Sequence, residues 1–457
     1  MHLGKFGFRR GVLALLSFFP NIACQLKIPS DFLDNIPSPE ITSFSIEGVP
    51  GTITSNSIYV ELRWTGINQR SAVATFPAVG GRVTVDGVEQ KSGATINDFS
   101  SAKTYVVKGF DGATRTYTVT VQGGYPFADT GQIQCASGAS GDAAFAACPQ
   151  TVTGQDGDSA NMPAARSFTG PTPHATFTND YTTKDNVTGL VWKSCSEGLS
   201  DATCSTGTLT YFKRDNAGID DASNVCTALN SANSGNGYSG KKDWRLPTIY
   251  ELSTLMDHSA NSPAIDILYF PATEASGYWS ATTYAPTQTN SWRAEFADGN
   301  LSNLAKSSNS RVRCVSGGGS AYSPQRIDNG DGTVTDPDNN LVWQKCSKGQ
   351  TNDATCSGSY TTSTWSAAIA YCQGLSLAGR TWRLPSIGEL RSLLDYSTSA
   401  PAIDTTKFPA TLNTTYWSSS TETSGPTYVK YVNFHYGLSS SVIKTDSNPV
   451  RCVATGP

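Results

Sequence analysis

A fourteen-residue run, Trp244-Arg-Leu-Pro-Thr-Ile-Tyr-Glu251-Leu-Ser-Thr-Leu-Met-Asp257, returns as Trp382-Arg-Leu-Pro-Ser-Ile-Gly-Glu389-Leu-Arg-Ser-Leu-Leu-Asp395, an offset of 382 − 244 = 138. The same offset carries Pro263-Ala-Ile-Asp266 to Pro401-Ala-Ile-Asp404 and Phe270-Pro-Ala-Thr273 to Phe408-Pro-Ala-Thr411. It also carries Tyr278-Trp-Ser280 to Tyr416-Trp-Ser418 and Arg313-Cys-Val315 to Arg451-Cys-Val453. Upstream, Leu190-Val-Trp192…Cys195 returns as Leu341-Val-Trp343…Cys346 at 346 − 195 = 151, so insertions separate the two blocks. Self-similarity at a fixed period means repeated structural units. The two homologous domains are 125–316 and 321–457, and whatever one copy folds into the other must also adopt.

The repeats can be read locally. Thr248-Ile-Tyr-Glu251 and Ser386-Ile-Gly-Glu389 each follow a proline and have the capping-box pattern, in which hydroxyl and carboxylate satisfy the free N–H groups of a helix start. Ile249, Leu252, Leu255 and Met256 follow at helical spacing, as do Ile387, Leu390, Leu393 and Leu394. Asp221 to Leu229 and Trp365 to Cys372 read as an earlier helix in each copy. Strand signals come last, at Tyr278–Thr282, Ser291–Phe296 and Arg311–Val315, with Asp298-Gly299 as a hairpin turn. Arg245 and Arg383 are expected to pair with Asp257, Asp266 or their repeat equivalents.

The N-terminal part differs. Lys5, Arg9 and Arg10 precede the apolar stretch Gly11–Phe19, which is shorter than the roughly 20 residues needed to span a bilayer. This pattern reads as a secretory signal over 1–23. It ends at Asn21-Ile-Ala-Cys24, which resembles a bacterial lipoprotein cleavage site with Asn21 in place of the usual Leu. Residues 24–39 are proline-rich and aperiodic, a tether. Residues 40–123 show short β-branched and aromatic runs separated by Gly80-Gly81, Asp86-Gly87 and Asp111-Gly112, which suggest a β-sandwich. Charged residues are only 15% and the net charge is -4, so no basic surface for nucleic acid is expected. Of the 11 cysteines, lipidation of Cys24 leaves ten that can pair in an oxidising compartment. No pair has Cys-x-x-Cys spacing, so zinc is not expected.

The order of short strand, two helices and antiparallel strands, with a Cys in the first helix and another in the last strand, looks like the C-type lectin-like fold. Trp-Arg-Leu-Pro, Tyr-Trp-Ser, Arg-Cys-Val and Asp331-Gly-Thr-Val-Thr-Asp336…Leu341-Val-Trp343 resemble, more specifically, the Lcl C-terminal domain family of bacterial surface proteins. Asp129-Thr-Gly-Gln132…Cys135…Cys148 resembles the lead-in of such domains. Gln90-Lys-Ser-Gly93…Tyr117-Thr-Val-Thr-Val121 resembles immunoglobulin-like spacers of surface lipoproteins. These resemblances imply an immunoglobulin-like β-sandwich followed by two C-type lectin-like α+β domains, a mainly β chain. They imply the disulfides Cys226–Cys314, Cys372–Cys452, Cys195–Cys204, Cys346–Cys356 and Cys135–Cys148. They also imply a location at the outer membrane or cell surface.

Candidate sites follow. The Glu-Pro-Asn, Gln-Pro-Asp and Trp-Asn-Asp triplets of calcium-dependent lectins do not occur, and Asp328-Asn-Gly-Asp331 lacks EF-hand spacing and reads as a hairpin turn. Glu251 and Glu389 are explained by capping. No Gly-x-Ser-x-Gly, His-Glu-x-x-His or phosphate-loop motif occurs, so no enzyme, metal or cofactor is expected. The copies diverge over 282–300 and 420–438. Trp292, Arg293, Glu295 and Asp298 in one, and Tyr428, Tyr431, His435 and Tyr436 in the other, are expected to reach solvent as a binding face. The function expected is non-catalytic recognition or adhesion toward a glycan or extracellular protein, on a lipid-anchored chain. The alternative is a structural envelope lipoprotein without a dedicated ligand.

Overall fold

The computed structural model describes residues 38–62, 69, 72–79, 81–99, 101–109, 111–123, 127–214, 221–318 and 326–456. The signal segment, Cys24 and the tether up to residue 37 lie outside the described residues. Strand makes up 34% and helix 11%, so the chain is mainly β, in several sheets, with no barrel among the described residues. Among the described residues no helix is long and apolar enough to cross a membrane.

The chain divides into two compact units. In the N-terminal unit, Ser57–Glu61, Gly81–Val85, Lys103–Gly109 and Thr114–Gln122 belong to one sheet, and Ser45–Ile46 and Ala72–Thr75 to another. Alternation along Lys103–Gly109 buries Tyr105 and Val107. Phe44 and Phe76 pack edge-on against the Tyr105 ring at 5.3 and 5.6 Å, an arrangement that favours aromatic quadrupoles. The Tyr117 hydroxyl accepts the Ile41 N–H at 3.1 Å. The β-branched and aromatic runs Phe44–Ile46, Ile58–Leu62, Val83–Val85, Tyr105–Val107 and Tyr117–Val121 all overlap strands.

The second unit holds both repeats. Each begins with strands that return beside its own last strand. In the first copy Val191–Lys193 pairs with Val315–Ser316, and in the second Leu341–Gln344 pairs with Val453–Thr455. Helix α1 (Ala222–Ala228) and helix α2 (Ile249–Ser253) serve the first copy; helix α3 (Trp365–Gln373) and helix α4 (Ile387–Ser392) serve the second. Both capping boxes are present, with Thr248 and Ser386 accepting from the Glu251 and Glu389 N–H groups. The five disulfides join the pairs the family resemblance implies. None crosses between repeats.

Three strands then follow in each copy: β1 (Gly277–Thr283), β2 (Asn290–Glu295), β3 (Asn300–Ala305), and β4 (Thr415–Thr421), β5 (Tyr428–Asn433), β6 (Leu438–Ile443). They form one six-stranded sheet in the order β1-β2-β3-β6-β5-β4. The join is antiparallel, with Leu301 opposite Ser439. These two residues are repeat equivalents, since 439 − 301 = 138. Equivalent residues facing each other in antiparallel strands place a local two-fold axis at the join, the isologous contact of a symmetric dimer inside one chain. One buried core runs through both copies and includes Leu252, Leu255, Leu301, Leu390 and Leu394.

The lead-in 127–166 precedes the first repeat yet clamps the second. The Gln132 carboxamide accepts the Thr421 N–H at 3.1 Å and donates to the Thr421 carbonyl. The Asp156 carboxylate accepts from Thr130 Oγ1 at 2.8 Å and from Ser420 Oγ. The Lys444 ammonium donates to the Gly141 carbonyl at 2.6 Å and lies 3.8 Å from the centre of the Trp365 ring.

Candidate functional site

The shared motifs have structural work that accounts for their charged residues. Arg313 and Arg451 are fully buried. Arg313 donates to the Lys193 carbonyl at 3.0 Å and to Thr273 Oγ1 at 2.6 Å; Arg451 donates to the Lys345 carbonyl at 2.6 Å and to Thr411 Oγ1 at 2.9 Å. Each stacks on a phenylalanine, Phe270 or Phe408. Thus the Arg of Arg-Cys-Val and the Thr of Phe-Pro-Ala-Thr are one device, and their shared spacing was the signal that could have revealed it. Arg245 and Arg383 do not pair with the aspartates expected. The turn through Pro247 or Pro385 brings them to the capping-box carboxylates instead, with Arg–Glu contacts of 2.5 Å to Glu251 and Glu389. Asp328 to Asp336 forms the expected hairpin, Ile327–Asp328 with Thr333–Asp336. Among the described residues only Cys135, Cys148 and Asp158 bring three ligand atoms together, and those two cysteines are disulfide-bonded.

The residues expected on a binding face separate into three environments. Trp292 does not reach solvent: it is 1% exposed, against Tyr284 at 5.1 Å and Tyr396 at 5.3 Å between ring centres. The reason is its place on β2, where alternation turns Trp292 and Ala294 inward and Arg293 and Glu295 partly outward. Arg293 and Glu295 pair at 2.7 Å and share Ser302. Asp298 caps its hairpin by accepting the Asn300 N–H at 3.1 Å. On the second copy Tyr428 and Tyr436 are exposed, Tyr431 is half-buried, and His435 packs edge-on against Tyr436 at 4.0 Å.

The seam between the repeats is chemically lopsided. Arg391 is buried and donates to the Gly299 carbonyl at 2.6 Å, Ser439 Oγ at 2.7 Å and His258 Nε2 at 3.2 Å. Burial lowers its pKa to about 10. Burial and the adjacent Arg391 charge hold His258 well below the usual histidine value, so its ring is neutral and Nε2 accepts. The equivalent of Arg391 is Ser253. Lys430, the equivalent of Trp292, reaches the Asp298 carbonyl at 2.7 Å and Asn300 Oδ1 at 3.0 Å.

Beside this seam lies an open groove of about 550 Å³, bordered by Thr248, Tyr250, Thr282, Thr283 and Gln288 of the first copy and Tyr396 of the second. That volume is in the range of small-ligand and peptide pockets. Hydroxyl, carboxamide and aromatic groups dominate the lining. Asp395, at its rim, already accepts from the Ser397 N–H at 2.9 Å and from Ser397 Oγ. None of Thr282, Thr283, Gln288 or Tyr396 was singled out as a site residue from sequence, because the groove exists only once the two copies join.

Residues 181–316 and 332–454 match the family described as the Lcl C-terminal domain, in two successive copies that span more than half of the chain. No curated protein matches the chain.

Proposed function

The chain belongs to the Lcl C-terminal domain family, and from that premise we propose that it is a non-catalytic recognition or adhesion protein of the cell surface. In this reading each repeat is a C-type lectin-like domain, residues 40–123 are an immunoglobulin-like spacer, and a lipid on Cys24 holds the chain at the outer membrane. The ligand is a glycan or an extracellular protein. The observation that carries the reading is the groove beside the inter-repeat seam, with hydroxyl, carboxamide and aromatic groups presented on a disulfide-braced scaffold. The nearby charged groups are committed to partners: Arg293 to Glu295, Lys430 to Glu422, and Arg391 to Gly299 and Ser439. Binding suits such a rigid surface of mixed aromatic and polar groups, whereas catalysis needs a base or nucleophile free to act. The test is retention of the exported full chain on arrays of glycans and extracellular matrix proteins. Saturable retention supports recognition. No retention on any array overturns it in favour of a structural envelope protein.

A further inference from the structure

We propose that the groove beside Thr283 and Tyr396 receives an extended peptide segment of a partner protein, whose backbone carbonyl meets the Tyr396 N–H and whose Gln or Asn carboxamide meets the Thr283 backbone. This rests on the recognition reading and narrows the ligand to a polypeptide.

The two-fold relation of the repeats gives this groove a mate. Moving the groove residues by 138 positions gives their mates: Thr282, Thr283 and Ala285 become Ser420, Thr421 and Thr423, while Asp395, Tyr396 and Ser397 become Asp257, His258 and Ser259. The mates border a second groove, and this chain's own lead-in lies in it, leaving about 310 Å³ open beside His258, Ser259 and Thr423. There the His258 N–H donates to the Thr130 carbonyl at 2.7 Å. Gly131 has φ +87°, and a Cβ on it would come within 2.4 Å of an Asp257 carboxylate oxygen. Gln132 then clamps both backbone groups of Thr421, the last residue of edge strand β4. The occupant is therefore a Thr-Gly-Gln segment, read by backbone, close approach and carboxamide.

The empty groove repeats the receiving half of each contact. Thr283 ends β1, the opposite edge strand of the same sheet. Asp395 is folded like Asp257, each with Oδ1 accepting from the N–H and hydroxyl of the serine two residues on. Thr282 Oγ1 accepts the Ile249 N–H at 3.0 Å just as Ser420 Oγ accepts that of Ile387 at 2.8 Å. Among the described residues the Tyr396 N–H has no acceptor, and no side chain clamps the Thr283 backbone. The asymmetry has a simple origin. The first repeat is preceded by the long lead-in, which crosses to the second copy, whereas only a short link precedes the second repeat. Arg311 and Pro247 already bond the earlier part of the β1 edge, so the ligand meets the strand only at its end, where a carboxamide clamp like that of Gln132 on Thr421 takes the place of the strand addition by which many peptides bind. One difference sets selectivity: Tyr250 replaces Gly388, whose missing side chain admits the Phe127 ring. The ligand should thus lack a large aromatic residue at the Phe127 position.

The probe is a fluorescent peptide of residues 129–134, Asp-Thr-Gly-Gln-Ile-Gln, titrated with the full chain by anisotropy. Saturable binding is expected. Changing the peptide's first Gln to Ala should weaken it about fivefold or more, as losing a paired hydrogen bond does. Ala285→Trp, which fills only the empty groove, should weaken it at least about tenfold; Gln288→Trp at the exposed rim is the second variant should the first fail to fold. Absence of saturable binding, or binding indifferent to a folded groove-filling variant, overturns the assignment. A chain that retains an array ligand but rejects the peptide refutes this assignment alone and leaves the recognition reading standing.

Discussion

Replacing Arg391 by alanine should loosen the join between the repeats. Arg391 is 3% exposed and gives charge-assisted hydrogen bonds to Gly299, Ser439 and His258, all from the first copy or from the joining strand. Each such bond is worth about 1.5–3 kcal/mol, and the acceptors left buried without a donor add to the loss. Against this stands the cost of burying the guanidinium, visible in its lowered pKa, which the substitution relieves. The net expectation is a loss of about 3–5 kcal/mol, the lost charge-assisted bonds and orphaned acceptors less the relieved desolvation. At about 2 °C per kcal/mol for a body of this size, the melting temperature should fall by roughly 6–10 °C. Calorimetry of the wild-type chain should show the two repeats unfolding together, because the join and the core are continuous. In the variant their transitions should begin to separate. A variant within about 0.5 kcal/mol of wild type, with the repeats still melting together, would refute the view that this side chain locks the seam.

Other expectations are equally direct. Docking of the lead-in should be weakest near pH 7. Burial raises Asp156 to about 7, so the folded form keeps a proton that the unfolded chain loses from roughly pH 4, and stability falls as pH rises through that window. Burial lowers Lys444 to about 7, so above it the folded form has lost a proton the unfolded chain keeps until about pH 10, and stability rises again. Hydrogen exchange of 127–166 against pH should trace this minimum, with Asp156→Asn flattening its acid side and Lys444→Met its alkaline side. Trp292→Ala should cost about 3–5 kcal/mol in denaturant unfolding, because the ring is core, whereas Tyr428→Ala should leave stability within about 0.5 kcal/mol. Removing Cys226–Cys314, which closes 88 residues, should cost about 4.6 kcal/mol by the chain-entropy estimate, and the 9-residue Cys195–Cys204 bridge less, as comparison of double-alanine variants will tell. Mass analysis of exported chain should find an acyl adduct on Cys24, with Cys24→Ser releasing the protein to the soluble fraction; an unmodified start elsewhere would contradict the anchor.

What was legible in the sequence was local or doubled. The capping boxes lie within four residues, and four of the five disulfides follow from a family pattern present twice. The strands that join the repeats were not legible. Asn300–Ala305 and Leu438–Ile443 are rich in Ser and Asn and carry little β propensity, yet each is held by a neighbour on either side. Without β3 and β6 the copies look like separate beads, and the Trp292 side chain looks free to face solvent. The register of β2 could have warned otherwise, since Trp292 and Ala294 alternate with Arg293 and Glu295. The Arg245 pairing was missed because capping already accounted for Glu251, and only the proline turn brings the arginine to that same carboxylate. The docking of the lead-in on the second repeat was missed for a different reason. Gln132 and Thr421 are 289 positions apart, and no periodicity links them.

The Leu301–Ser439 join has a consequence for how such a protein can change. Two separate subunits related by a dyad share one gene, so every substitution appears on both sides of the axis at once. An arginine introduced at one seam would arrive with a twin, and the mate of Gly299 would need to accept it as well. Covalent tandem duplication removes that constraint. Position 391 holds arginine while 253 holds serine; 430 holds lysine while 292 holds tryptophan; 388 is open while 250 is filled. Each half has drifted into a different part, one lending its groove to the chain's own arm and the other keeping its groove open.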